Sequence, residues 1–181
     1  MRAVVVGATG NLGTSLLEAL AGEEAVEEIV AVARRIPQRQ FPRTTFVAAD
    51  ITRLPYADAT FDAVICGWVL EHLPDPRPGL KELARVVQPG GKVLLLTTED
   101  TLLGSVCSRL WHCRTYNRAA LRKVCEESGL CWRRELWFTR LHAFARLGGI
   151  VVELSRQQAP VSLESVRIRG QDAFPNPLSA S

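Results

Sequence analysis

An apolar run, Ala3-Val4-Val5-Val6, stops on Gly7 and opens the segment Gly7-Ala8-Thr9-Gly10-Asn11-Leu12-Gly13. A short run without polar interruption reads as a strand buried on both faces. The next residues change period: Leu12, Leu16, Leu17 and Leu20 fall on one helical stripe, and Gly22 stops it. Strand, glycine turn and helix form the unit from which parallel α/β sheets are built. Glycine at position 7 allows the tight turn. Gly10 and Gly13 let a ligand and the helix come close, and free amides at the helix start favour an anion. Gly7, Thr9, Gly10, Asn11 and Gly13 are therefore the expected cradle of a nucleotide cofactor.

The alternation continues. Strands are expected at 28–33, 45–49, 61–66 and 92–97, with a helix over 79–87 broken by Pro89-Gly90-Gly91. Asn117 is a good N-cap for a helix ending at Gly129. Residues 130–138 and 149–154 read as two further strands. Residues 1–155 thus form a single Rossmann-like, doubly wound α/β domain, and residues 156–181, with Pro160, Pro175 and Pro177, a loose tail. The links into and out of strand three are short, carry Pro37, Pro42 and Pro55, and have no helical pattern. Parallel strands normally need a longer, helical crossover. Strand three is expected to be poorly covered on both faces, which predicts self-association through its edge or low stability as a monomer, the alternative being that the 156–181 tail folds back over it through Val161, Leu163, Val166 and Ile168.

Two family resemblances follow. GATGNLG closely resembles the nucleotide loop of extended and atypical short-chain dehydrogenases. Arg34-Arg35 at the end of strand two agrees with that resemblance, since an arginine there suits the 2′-phosphate of NADP; a solvent-facing arginine is the alternative. The dehydrogenase Tyr-x-x-x-Lys is absent: Tyr56 and Tyr116 are followed four residues later by Thr60 and Ala120. Hydride chemistry of that kind then has no visible acid or base.

The stretch VAADITRLPYADATFDAVICGWVLEHLPDPRPGLKELARVVQPGGKVLLLT resembles the S-adenosylmethionine (SAM) methyltransferases that include ubiquinone- and menaquinone-biosynthesis enzymes. The likeness spans residues 44–155 and five elements in order: the acid after strand three, the LP-aromatic-x-D loop, F-D-A-V, V-L-E-H-L-P-D and R-V-x-x-P-G-G. It implies strand order 3-2-1-4-5-7-6 with strand seven antiparallel. It also implies Asp50 and Ile51 beside adenine, and Cys66 and Gly67 beside the cofactor sulfur. Trp68, Trp111 and Tyr116 would face the acceptor. His72 is the catalytic candidate, with a capping or packing role as its alternative. Methyl transfer asks mainly for positioning and exclusion of water, so it survives the lack of a fixed acid–base constellation. SAM-dependent transfer to an unidentified small molecule is the leading expectation. A catalytically silent NADP-binding module, acting as sensor or scaffold, is the second.

The bulk numbers exclude little. The 181 residues are 47% hydrophobic and 23% charged, with a net charge of +3, too small to argue for nucleic acid. Residues 101–146 hold nine Lys/Arg against three Glu. That is either a solvated basic face or a docking surface for an acidic substrate or an anionic membrane surface. Five cysteines without a C-x-x-C pair argue against a zinc site and a disulfide framework. No apolar run is long enough to span a bilayer, and no signal-peptide pattern opens the chain. A cytoplasmic location is expected.

Overall fold

Apolar strands with β-branched residues form the centre of the computed structural model, which describes residues 1–101, 105–106, 109–110, 112–136 and 149–157. β1 (Arg2–Val6), β2 (Glu28–Ala33), β3 (Thr44–Ala48), β4 (Phe61–Gly67) and β5 (Val87–Thr98) lie parallel; β6 (Leu130–Glu135) and β7 (Gly149–Arg156) complete the sheet. The order is β3-β2-β1-β4-β5-β7-β6, with β7 antiparallel to both neighbours. The expected topology is thus the observed one.

Alternation sorts the side chains onto two faces. Ala3, Val5, Ile29, Ala31 and Ile65 point to the side covered by α1 (Asn11–Gly22), where Leu17 is fully buried. Val4, Val6, Val30, Val64 and Leu95 point to the other side. There they meet Leu80 and Leu83 of α2 (Arg77–Val86) and Leu121 and Cys125 of α3 (Arg118–Glu127). Pro78 sits in the first turn of α2, where its missing amide costs nothing. Asn117 caps α3 as expected, its side-chain oxygen accepting from the Ala119 and Ala120 amides. α1 differs: Gly10 is its N-cap and offers no side-chain cap, so its first amides stay open.

Two boundaries differ from expectation. β5 starts five residues early because Pro89-Gly90-Gly91 ends the helix without ending the strand. Val87 pairs with Phe61, and the ladder resumes at Ala63 with Lys92 after a register shift. A bulge absorbs the extra residues. β7 runs on to Arg156, and the Gln157 amide donates to the Gly129 carbonyl. The described part of β6 ends at Glu135; residues 137 and 138 lie outside the described residues.

Neither link beside β3 forms a helix, yet one face is covered. Phe41, from the first link, is buried and meets Phe46 of β3 with ring centroids 6.1 Å apart. Arg39 stacks over Phe41 at 4.7 Å and is paired with Glu18 of α1. A loop phenylalanine thus does the covering that a crossover helix normally supplies. The second link is tied to α2 through Arg85, which donates to Glu82, Asp58 and the carbonyls of Tyr56 and Leu54.

Candidate functional site

β1 crosses to β2 on one side, and β4 lies on its other side, so the strand order reverses between β1 and β4. In open α/β sheets ligands bind outside the strand ends at this point. Gly7 has φ +84°, and a Cβ there would lie 2.7 Å from Val69 Cγ2 and 2.8 Å from the Gly67 carbonyl oxygen. A Cβ on Gly13 would lie 2.3 Å from the Gly7 oxygen and 2.6 Å from Ala8 backbone. These two glycines let the α1 turn, β1 and the β4 exit close on one another. Thr9, Gly10 and Asn11 remain exposed on the rim. The Thr14 amide makes the first helical bond, to the Gly10 carbonyl, so the amides of Asn11, Leu12 and Gly13 precede the helical ladder.

The β2 and β3 ends supply charge. Arg34 is exposed directly after β2, and Asp50 is exposed just after β3. The Asp50 carboxylate accepts from the Thr52 hydroxyl at 2.7 Å and the Thr52 amide at 2.8 Å. These bonds, and then the Arg34 guanidinium, hold its pKa below the usual value. Ile51 is buried against α2.

At the β4 exit the expected residues separate. Cys66 is wholly buried in the core cluster that holds Leu80 and Leu83 of α2, and burial pushes its thiol pKa up. Gly67 is partly exposed above Leu12. Trp68 is 44% exposed with φ +50°, while its amide donates to the Leu96 carbonyl at 2.9 Å. His72 is exposed at the end of a 3-10 turn, Leu70–His72. Tyr116 is half-buried, and its hydroxyl donates to the Leu70 carbonyl at 2.8 Å. Burial, then the nearby Glu71, pushes its pKa up to about 12. This bond ties Tyr116 to the 3-10 turn. Trp111 lies outside the described residues.

A layer beneath the site went unread in the sequence. Glu71 is only 3% exposed, and its carboxylate accepts from the hydroxyls of Thr97 at 3.0 Å and Thr98 at 3.1 Å. Burial raises its pKa. Glu99, also buried, takes a two-pronged bond from Arg118, which reaches Glu135 as well. Arg114 joins the 114–116 segment to the turn: its amide donates to the Glu71 carbonyl and its guanidinium to the Pro74 carbonyl. The available signal was Thr97-Thr98-Glu99, three polar residues closing a buried apolar strand. Among the described residues no group of His, Cys, Asp and Glu could hold a metal, and no helix is long and apolar enough to cross a membrane.

Comparison with known proteins bears on this edge of the sheet. Residues 5–95 match the family model described as a methyltransferase domain. The match takes in the glycine loop, so the loop needs no separate dehydrogenase origin. A demethylmenaquinone methyltransferase of Anoxybacillus flavithermus is 42% identical over 71 residues, 39% of this chain and 30% of that protein. The first curated relatives matched are spanned for only 30%, 31% and 36% of their length. In fold, the chain is similar to one from the complex of the Haloferax volcanii Trm112 methyltransferase activator with a methyltransferase. The TM-score is 0.71 at 15% identity, over 87% of this chain and 83% of that one. It is also similar to the Burkholderia thailandensis 1,6-didemethyltoxoflavin-N1-methyltransferase, solved with 1,6-didemethyltoxoflavin and S-adenosylhomocysteine. There the TM-score is 0.65 at 18% identity, over 87% and 71% of the chains.

Proposed function

The chain belongs to the methyltransferase-domain family, and from that premise we propose that it binds SAM at the β1–β4 edge and methylates a small-molecule acceptor. What supports the reading is one continuity. The family match, residues 5–95, takes in the glycine loop, Asp50 and the β4 exit, and the fold gathers all three around one sheet edge.

The residues fit an adenosyl cofactor. Asp50 is exposed, ionised and able to accept from the exocyclic amine of adenine. The open amides of Asn11 to Gly13 suit the carboxylate of the amino-acid part. Arg34 meets the ribose edge with donors in place of a carboxylate. Ribose hydroxyls accept as well as donate, so recognition there is changed and not lost. Bound SAM would supply a methyl group already activated on a sulfonium. The protein then has to fix the acceptor and exclude water. Trp68 and the exposed His72 border the acceptor side, and Tyr116 holds the turn that carries them. His72 removes a proton only if the acceptor must lose one.

Side-by-side calorimetry with SAM, S-adenosylhomocysteine, NADPH and NADH tests the reading. S-adenosylhomocysteine should bind and NADPH should not. NADPH binding without S-adenosylhomocysteine binding would overturn it in favour of the NADP module. That alternative gains nothing from the family match. The proposal extends to assembly: β3 is an edge with Thr45 and Ala48 exposed, and it pairs with a second copy. Sedimentation at several concentrations should show a dimer; a monomer throughout refutes that part.

A further inference from the structure

A buried carboxyl group that bonds only to hydroxyls is an expensive choice, and such groups gather where their charge is used. Glu71 is 3% exposed. Its oxygens accept from the Thr97 hydroxyl at 3.0 Å and the Thr98 hydroxyl at 3.1 Å. The guanidiniums of the adjoining segment go elsewhere, Arg114 to the Pro74 carbonyl and Arg118 to Glu99 and Glu135. Among the described residues, the titratable groups that bear on Glu71 are Cys66 of β4, Tyr116 of the 114–116 segment and His72 of its own turn. Of these three, His72 alone can turn positive, and its influence is the weakest. Burial is the strongest and raises the Glu71 pKa. Glutamine could meet both hydroxyls without a charge, since a hydroxyl accepts as well as donates. The distinguishing property of Glu71 is therefore its ability to ionise.

The carboxylate lies at the cofactor edge of the sheet. Thr97 and Thr98 continue β5 past Leu96, which pairs with Gly67 and accepts from the Trp68 amide. The Gly67 carbonyl and Val69 in turn crowd Gly7 of the glycine loop. β5 is next to β4 and two places from β1. At ordinary strand spacing that is about 5–10 Å along the sheet.

We propose that Glu71 reads the charge on the cofactor sulfur, its carboxylate favouring SAM, a sulfonium, over S-adenosylhomocysteine, a neutral thioether. The inference rests on the methyltransferase reading and deepens it by naming a regulation: loss of the methyl group loosens the hold on the product. The two ligands share adenosine, amine and carboxylate, so their difference isolates the sulfur charge. A carboxylate about 10 Å away through protein alters a cation's affinity several-fold. A carboxyl group kept from ionising by burial loses its proton more readily when a cation arrives.

The test titrates the full chain with SAM and with S-adenosylhomocysteine by calorimetry, in buffers of different ionisation enthalpy, so that proton release is read beside affinity. Preference is the ratio of the S-adenosylhomocysteine to the SAM dissociation constant. At about pH 8 it should fall at least about 3-fold in Glu71→Gln, while S-adenosylhomocysteine affinity moves less than about 2-fold. From about pH 5 to about pH 8 it should climb at least about 3-fold in the native chain and stay level in Glu71→Gln. SAM should release more protons than S-adenosylhomocysteine from the native chain, and no more from Glu71→Gln. Thr98→Val removes one hydroxyl but no charge, and should keep the preference at about pH 8 within about 2-fold. An unchanged preference in Glu71→Gln, an equal loss of both ligands, or equal proton release from the native chain overturns the proposal. So does a Thr98→Val chain that loses the preference as Glu71→Gln does, because the role would then be structural. Binding of both ligands without these differences strikes this proposal alone; binding of neither strikes the methyltransferase reading and this proposal with it.

Discussion

Replacing Arg118 by methionine should destabilise the protein far more than a surface arginine would. The Glu99 side chain is 6% exposed and that of Arg118 20%. The guanidinium meets the carboxylate through Nε at 2.9 Å and Nη2 at 2.7 Å, a fork on both oxygens. Methionine keeps most of the apolar stem but leaves the buried Glu99 side chain without its guanidinium partner. Breaking a buried pair on one side costs about 3–5 kcal/mol. Glu135, the second partner, is a third exposed and regains water, adding less than about 1 kcal/mol. At about 2–4 °C per kcal/mol for a chain of this size, the melting temperature should fall by about 6–20 °C. Arg118→Lys keeps the charge and loses the fork, so about 1–2 kcal/mol is expected. The double change Glu99→Gln with Arg118→Met removes both charges and should return to within about 2 kcal/mol of native. Thermal unfolding followed by circular dichroism reads all three. An Arg118→Met protein melting within about 2 °C of native would refute the reasoning, because the carboxylate would then have found water or another donor.

Other outcomes follow from the same geometry. Gly13→Ala places a Cβ 2.3 Å from a backbone oxygen that cannot move alone. It should cost about 3 kcal/mol and weaken S-adenosylhomocysteine binding, read by melting and calorimetry; a native-like melt would show that the turn yields. Asp50→Ala should weaken S-adenosylhomocysteine about 10-fold or more, and Asp50→Asn by no more than about 3-fold, since the amide oxygen still accepts. Equal affinity for the native and Asp50→Ala chains would move adenine away from this residue. Glu71 has its folded pKa raised by burial. Its contribution is therefore fully present below the unfolded pKa and is lost as pH rises through the folded value, because the unfolded chain ionises first. Glu71→Gln should match the native melt near pH 4 and exceed it increasingly toward neutrality. A constant difference across that range would mean that Glu71 is not the titrating group.

The strands, the helix stripes and the sheet order could be read from the sequence because each rests on local pattern plus one family likeness. Asn117 was read as a cap from identity alone, and it caps. The β5 start was missed because Pro89-Gly90-Gly91 both breaks a helix and forms a bulge, and a single sequence does not separate the two. The cover on β3 was missed because it hangs on one residue, Phe41, with no period to betray it. The Glu71 and Glu99 layer was invisible for a different reason. Its partners lie 26, 27 and 19 residues away, and burial of a carboxylate is decided by tertiary packing that no local window contains.

The position of β7 has a consequence for synthesis. The last described strand in the chain is an interior strand of the sheet, seated between β5 and β6. β6 pairs with β7 and not with β5, so it has no place to dock until β7 has been made. While residues 99–148 emerge from the ribosome, the outer edge of β5 stands open with Leu94, Leu95 and Leu96 on it. At about 5–20 residues per second this interval lasts roughly 3–10 s, long compared with strand pairing in microseconds. A nascent or truncated chain in that interval offers an apolar parallel strand to any neighbour with a free edge. Loss of residues 149–156 would therefore not trim the sheet by one strand; it would release two and leave β5 as an open edge.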